Sequence, residues 1–288
     1  MQIDIHSHII PGVDDGSPDL ETSLGLLRMA AENGTTDIIA TPHVIDVSTT
    51  LTWDAIRRHV EDLQKEADQQ EIPIRIYPGA ETELNWDLLE LMRKERSAFC
   101  LAGSRYCLME LPSLMLPPHL DEIVYELQLL DIVPVLAHPE RQMQLMEKPR
   151  MLLEFLKKGC AAQSNGGSVT GVFGPRVQHN VEQLLNQNVI AFMGSDAHNL
   201  RRRNTNLKEA KEKITERWGS EAAKELFETR PTYILENKPL PDALYPDRLP
   251  EELTVASYHH RVKGDQGQPK PQQQKKKVFL PDYSVKYY

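Results

Sequence analysis

Short apolar runs alternate along the chain with longer stretches whose apolar positions recur every three or four residues. Residues 2–5 read as a first strand. Leu20, Leu24, Leu27 and Ala31 then mark one face of a helix that Gly34 closes, with Ser17-Pro18 read as its cap and first turn. Residues 37–40 are a second strand, and Ile56, Val60, Leu63 and Ala67 stripe a helix over 52–70. The alternation continues with strands at 74–77, 106–109, 133–137, a weaker 161–164, and 189–193. Helices are expected near 87–94, 119–130, 150–158 and 175–187, with two more within 207–229. Seven β-α units predict an α/β fold, a parallel sheet covered by helices. Periodicity leaves an open, doubly wound sheet and a closed barrel as alternatives.

Beyond about Leu235 the pattern stops. Residues 237–250 are proline-rich and 264–277 are a Gln/Pro/Lys low-complexity run. The expected organisation is one domain over 1–236 and a tail over 237–288, mostly disordered from 250 onward.

A chain of 288 residues can bury a sizeable core. No apolar run approaches the roughly 18 residues of a membrane helix, so membrane insertion is not expected. The chain begins on a strand rather than on a basic and apolar leader, which makes the cytoplasm the expected location. Cys100, Cys107 and Cys160 are odd in number and scattered, which argues against a disulfide framework. The net charge is −9; residues 263–288, with six lysines and two aspartates, contribute +4, so the remainder carries −13. A body that acidic argues against nonspecific nucleic-acid binding.

Catalytic groups in α/β sheets and barrels gather at the carboxyl ends of the strands. The first strand delivers His6 and His8, followed by Asp14 and Asp15 ahead of Gly16. The second ends in Thr41-Pro42-His43, the third in Pro78-Gly79-Ala80-Glu81 with Glu83 beyond, and the fourth on Glu110. The fifth gives His138-Pro139-Glu140-Arg141, the sixth Ser164-Asn165-Gly166-Gly167, and the seventh Gly194-Ser195-Asp196-Ala197-His198. Five of the ten histidines therefore fall on one rim, while His59, His119, His179, His259 and His260 fall in predicted helices or the tail. Singly, each feature has a bland reading: strand histidines for His6-x-His8, a turn for Asp14-Asp15-Gly16, a helix cap for Glu81. Glu110 is harder to dismiss, because a carboxylate ending an apolar run needs a partner. Together they select a metal site. Imidazole and carboxylate donors without thiolates suit Zn²⁺, Mn²⁺, Fe²⁺ or Co²⁺. Nine candidate ligands exceed what one ion uses, so two or three ions with a bridging carboxylate are expected.

The ordered set His6-x-His8, Asp15, His43, Glu81, Glu110, His138, Asp196-x-His198 resembles the polymerase and histidinol phosphatase (PHP) superfamily. More narrowly, Asp-Ile-His-Ser-His-Ile-Ile-Pro-Gly-Val-Asp-Asp-Gly, Ala-Thr-Pro-His, His-Pro-Glu-Arg and Ser-Asp-Ala-His-Asn resemble the manganese-dependent protein-tyrosine phosphatases of bacterial capsule and exopolysaccharide operons. The resemblance covers about residues 1–236. It implies a distorted (β/α)7 TIM-like barrel, up to three Mn²⁺ ions, and a metal-bridging hydroxide that attacks phosphotyrosine. By the same resemblance His6, His8, Glu81 and Asp196 hold one ion, Glu81, Glu110 and His138 a second, and Asp15, His43 and His198 a third. Asp15 is preferred to Asp14 because the family's ligand precedes the glycine. Arg141 and Arg203 match arginines that handle the phosphate, with Arg201 and Arg202 as neighbours that compete for the second assignment. The implied partner is a phosphotyrosine protein, a bacterial tyrosine autokinase.

The cysteine-dependent route is excluded, since its Cys-x5-Arg motif is missing: six residues after Cys100, Cys107 and Cys160 stand Tyr106, Ser113 and Gly166. Two alternatives share the rim: a small-molecule phosphoesterase of the histidinol-phosphatase type, and a noncatalytic PHP-like binding module.

Overall fold

The computed structural model describes residues 2–44, 51–83, 85–112, 115–240 and 252–256. Among the described residues nine strands run β1 (Ile3–Ser7), β2 (Asp37–Ala40), β3 (His43–Val44), β4 (Arg75–Pro78), β5 (Glu81–Glu83), β6 (Tyr106–Glu110), β7 (Val133–Ala137), β8 (Ala161–Asn165) and β9 (Phe192–Gly194). Between them lie α1 (Leu20–Glu32), α2 (Trp53–Gln69), α3 (Trp86–Lys94), α4 (Leu120–Leu129), α5 (Met143–Glu147), α6 (Pro149–Lys157), α7 (Gly166–Thr170) and α8 (Pro175–Asn186). After β9 come α9 (Lys208–Trp218), α10 (Ser220–Lys224) and α11 (Arg230–Leu235), the last two joined by a π-helical turn.

Every strand pair is parallel. One sheet runs β1-β2-β4 and the other β3-β5-β6-β7-β8-β9. The two are one surface. Pro42 separates β2 from β3 and Gly79-Ala80 separates β4 from β5, so each pair is one interrupted strand that changes sheet at the break. This reduces nine strands to seven positions. The ring closes between Ser7 and Ala197: the His8 amide donates to the Ala197 carbonyl at 2.9 Å and the Asp196 amide to the His6 carbonyl at 2.8 Å. The result is a distorted seven-position barrel, which settles the choice between open and closed sheets. The Tyr106 and Phe192 rings meet edge-on at 6.0 Å. Their strands are separated by β7 and β8, so this contact crosses the interior. Ile5, Leu108 and Val135 belong to the same buried cluster.

The outer layer follows the helical stripes on α2 but only in part on α1, where Leu24 and Leu27 are buried while Leu20 is exposed and Ala31 half-buried. On α2, Ile56, Val60, Leu63 and Ala67 are all buried as the spacing requires, and Thr52 caps its N-terminus. A fully buried aliphatic side chain of this size contributes about 1.5–3 kcal/mol. At α1 the cap differs from expectation. Asp19, not Ser17, accepts from the Thr22 amide at 2.8 Å. Ser17 is buried, bonding the Asp19 carbonyl and the Ser23 hydroxyl. A carboxylate placed two residues closer to the first free amides wins.

Most of the stretch expected to be disordered lies outside the described residues; 252–256 is described. There Leu253 is buried, the Thr254 backbone exchanges two hydrogen bonds with the Gln187 side chain, and the Ala256 carbonyl faces His179 at 2.8 Å. Among the described residues, no helix is long and apolar enough to cross a membrane.

Candidate metal centre

Six of the seven strand positions bring candidate donors to one rim. His6 and His8 come from the end of β1, His43 from β3, Glu81 from β5, Glu110 from β6, and His138 from the residue after β7. Asp196 and His198 follow β9. The close approach has a local cause in two glycines. A Cβ on Gly16 would lie 2.3 Å from the His8 carbonyl oxygen, and one on Gly194 would lie 2.7 Å from His6 Cβ. Gly12, at φ +68°, turns the chain back after β1, and its amide bonds the Ser17 carbonyl at 2.8 Å. His138 and Asp196 hold left-handed backbone (φ +33° and +53°), a strained state for residues with a Cβ that clusters at functional sites.

Three groups of donors each lie within 4.8 Å of one another: His6, His8, Glu81 and Asp196; His8, Asp15, His43 and His198; and His43, Glu81 and Glu110. His138 stands beside them, its Nε2 3.0 Å from Glu81 Oε1. Asp14 and Asp15 separate clearly. The Asp14 side chain is 5% exposed; its Oδ2 accepts from His8 Nδ1 at 2.8 Å and from the His43 amide at 3.0 Å. Asp15 is 68% exposed, with Oδ1 3.5 Å from His43 Nε2 and 3.4 Å from His198 Nε2.

The imidazoles are oriented from behind. His6 Nδ1 faces Gln163 Oε1 at 3.0 Å, His8 Nδ1 faces Asp14, and His198 Nδ1 faces the Asp196 carbonyl at 3.0 Å. Each acceptor assigns the proton to Nδ1 and leaves the Nε2 lone pair bare toward the cluster, the arrangement metal-bound histidines adopt. The consequence is crowding. His6 Nε2 and His8 Nε2 lie 3.2 Å apart, and both approach Glu81 Oε2, at 3.1 and 3.2 Å. Yet Glu81 Oε2 and His198 Nε2 are buried with no hydrogen-bond partner. Bare lone pairs facing a carboxylate oxygen are stable only with a cation or protons between them, so the donor set fits a divalent ion.

The electrostatics agree. Burial alone would depress the His8 pKa, but its hydrogen bond to Asp14 and the adjacent Glu81 carboxylate push it up to about 10: the carboxylates demand a positive charge there. Burial, together with the charge of His8, lowers His43. Burial lowers His198 against the opposing pull of Asp15. Burial and the neighbouring Glu81 charge raise Glu110.

Asp196 is held from three sides. Arg141 Nη1 and Asn165 Nδ2 donate to its Oδ2, and Arg203 Nη2 to its Oδ1, each at 2.7 Å. The Arg141 guanidinium also lies over the Phe173 ring at 4.7 Å, and that of Arg203 at 5.9 Å. Arg202 instead reaches the Val172 carbonyl, and Arg201 is exposed.

Three contributors escaped the sequence reading. Gln163 links His6 to Asn165, donating to Asn165 Oδ1 at 2.9 Å, and so ties two sides of the centre together. Glu140 is buried and accepts from the Ser164 and Ser168 hydroxyls and the Asn165 amide, which locks the end of β7 to that of β8. Phe173 stacks both guanidiniums. The strand-six sequence Ala-Ala-Gln-Ser-Asn carried the available signal: three consecutive polar residues on a strand that is buried throughout.

A family model described as capsular polysaccharide synthesis, CpsB/CapC, matches residues 2–236. Tyrosine-protein phosphatase YwqE of Bacillus subtilis (strain 168) is 35% identical over 219 residues, 76% of this chain and 86% of that protein. Tyrosine-protein phosphatase CpsB of Streptococcus agalactiae serotype III (strain NEM316) is 29% identical over 240 residues, 82% of this chain and 98% of that protein. A solved structure from the pair YwqE of Bacillus subtilis and CpsB of Streptococcus pneumoniae, described as metal-dependent tyrosine phosphatases, matches with a TM-score of 0.77 at 34% identity, covering 82% of this chain and 95% of that one.

Proposed function

The chain belongs to the capsular polysaccharide synthesis family CpsB/CapC, and from that premise we propose that it is a metal-dependent protein-tyrosine phosphatase using Mn²⁺. The observation that carries the reading is the convergence of bare imidazole nitrogens on the unpartnered Glu81 Oε2, with two guanidiniums fixed beside it on Asp196. In this reading His6, His8, Glu81 and Asp196 hold one ion, Glu81, Glu110 and His138 a second, and Asp15, His43 and His198 a third. Bound ions supply a water of lowered pKa and positive charge toward phosphate oxygens.

The chain's own residues do the rest. Asp14, Gln163 and the Asp196 carbonyl keep Nδ1 protonated on His8, His6 and His198, so the ligand nitrogens stay available. Arg141 and Arg203 present forked donors at the rim, a geometry that matches the non-bridging oxygens of a phosphoryl group. A phenolate leaves readily, so phosphotyrosine hydrolysis makes little demand for a strong general acid. The exposed Asp15 marks the open side of the centre, which suits a tyrosine carried on an extended protein segment. The cellular substrate in this reading is a tyrosine autokinase acting in capsule or exopolysaccharide regulation, met in the cytoplasm.

Steady-state comparison of a phosphotyrosine peptide with histidinol phosphate tests the substrate class. The peptide should be favoured at least tenfold in kcat/KM. The reverse preference would replace this reading with a small-molecule phosphoesterase, and failure to turn over either would leave a binding module.

A further inference from the structure

Arg201 and Arg202 take no part in the centre described above. Both are exposed, and among the described residues neither has a carboxylate within ion-pair distance. Their loop is nonetheless well tied. The Arg201 amide donates to Asn199 Oδ1 at 3.0 Å, Asn204 Nδ2 donates to the Arg201 carbonyl at 2.6 Å, and Arg202 Nη2 donates to the Val172 carbonyl at 2.9 Å. Behind the loop lies a cavity of about 230 Å³ lined by Thr170, Phe173, Asn204 and all three arginines. Its one acidic wall residue, Glu209, is occupied by Lys213 at 3.0 Å.

This cavity shares two walls with the metal centre. Arg203 reaches Asp196 through Nη2, while its Nε is buried with no hydrogen-bond partner. Phe173 lies under the guanidiniums of both Arg141 and Arg203. Outside residues 263–288 the chain carries a net charge of −13, so three consecutive arginines locally invert its field. With Glu209 paired to Lys213 and Arg203 to Asp196, Arg201 and Arg202 leave this concave surface cationic, and it attracts an external anion. Because Arg203 borders both spaces, an acidic side chain next to the phosphotyrosine on the same polypeptide is the anion best placed to reach this one.

We propose that the 201–203 loop and the cavity behind it form a second anion subsite, which receives an aspartate or glutamate side chain of the substrate close to its phosphotyrosine. The proposal rests on the phosphatase reading above. The space is small for a folded element and suits one anionic side chain. The subsite makes the enzyme select acidic segments rather than phosphotyrosine alone.

The test uses the full-length, Mn²⁺-loaded protein and four substrates: p-nitrophenyl phosphate, a phosphotyrosine peptide flanked by glutamates, the same peptide with alanines, and the alanine peptide carrying a second phosphotyrosine. The acidic peptide should be favoured by about three- to tenfold in kcat/KM, expressed mainly in KM, as expected for charge pairs at a partly exposed rim. The preference should fade at high salt. The double variant Arg201→Gln, Arg202→Gln should lose the preference yet turn over p-nitrophenyl phosphate as the wild type does. Equal rates on the glutamate and alanine peptides, with p-nitrophenyl phosphate hydrolysed normally, would overturn the subsite and leave the phosphatase reading intact. A doubly phosphorylated alanine peptide that gains where the glutamate peptide does not would also overturn it, by assigning the cavity to phosphate. No turnover of any substrate would overturn the phosphatase reading and this inference with it.

Discussion

Replacing Gln163 with leucine probes how the centre holds its ligands in position. Gln163 is fully buried, and both ends of its amide are engaged, with His6 Nδ1 at 3.0 Å and Asn165 Oδ1 at 2.9 Å. Leucine has a similar volume but can neither accept nor donate, so the change leaves one donor and one acceptor unmet in the interior. Each unmet buried group costs about 1–3 kcal/mol, so the metal-free protein should lose about 2–6 kcal/mol, read from the urea midpoint at unchanged slope. The second effect is on binding. With nothing to accept from Nδ1, the His6 proton can move to Nε2 and occupy the lone pair aimed at Glu81. Losing such an orienting partner weakens ion affinity about 10- to 100-fold, measurable by calorimetric titration with Mn²⁺. Gln163→Glu, which keeps the acceptor, should recover most of that affinity. A folded Gln163→Leu protein that binds Mn²⁺ as tightly as the wild type would refute the reasoning.

Three further outcomes follow from buried groups. Burial raises the Asp4 pKa to about 6 against the opposing hydrogen bonds from Ser195 and His6. Folding therefore favours its protonated form, and metal-free stability should fall by about 3 kcal/mol as pH rises from about 4 to 6. Asp4→Asn should flatten that slope, and an unaltered pH profile would count against the buried-carboxyl account. Glu140→Ala strands three donors and should destabilise by about 3 kcal/mol or more in chemical denaturation, whereas Arg150→Ala, which breaks an exposed pair with Glu154, should change stability by less than about 0.5 kcal/mol. Burial pushes the Cys160 thiol up to about 12, so mass spectrometry should find it unalkylated at pH 8 until the chain unfolds, and Cys160→Ser should keep full activity.

The rim was legible because strand ends and metal donors coincide in the chain: each apolar run but the sixth, which ends in Ser164-Asn165, leads to a histidine, a carboxylate, or both. The helical stripes were legible for the same reason of period: on α2 four of the five buried positions follow it, Trp53 being the fifth. Chain pattern could not separate an open sheet from a barrel, since closure depends on the Ser7–Ala197 bridge between residues far apart in sequence. It also missed the short strands β3 and β5, where Pro42 and Gly79 interrupt one strand and the pieces are too brief to show alternation. The polar supports were the least visible. Gln163, Glu140 and Phe173 act through partners on other elements, and nothing in their immediate neighbours announces a buried amide, a caged carboxylate or a ring under two guanidiniums. Asp14 and Asp15 illustrate the same limit: adjacent, identical in chemistry, and divided only by which way the turn points them.

The central claim is that this rim holds catalytic metal. The direct measurement is phosphotyrosine-peptide hydrolysis by protein stripped with a chelator and then reloaded with Mn²⁺, with bound metal counted by mass spectrometry. Activity should vanish on stripping and return as two to three ions bind per chain. Undiminished hydrolysis by the metal-free protein would contradict the account.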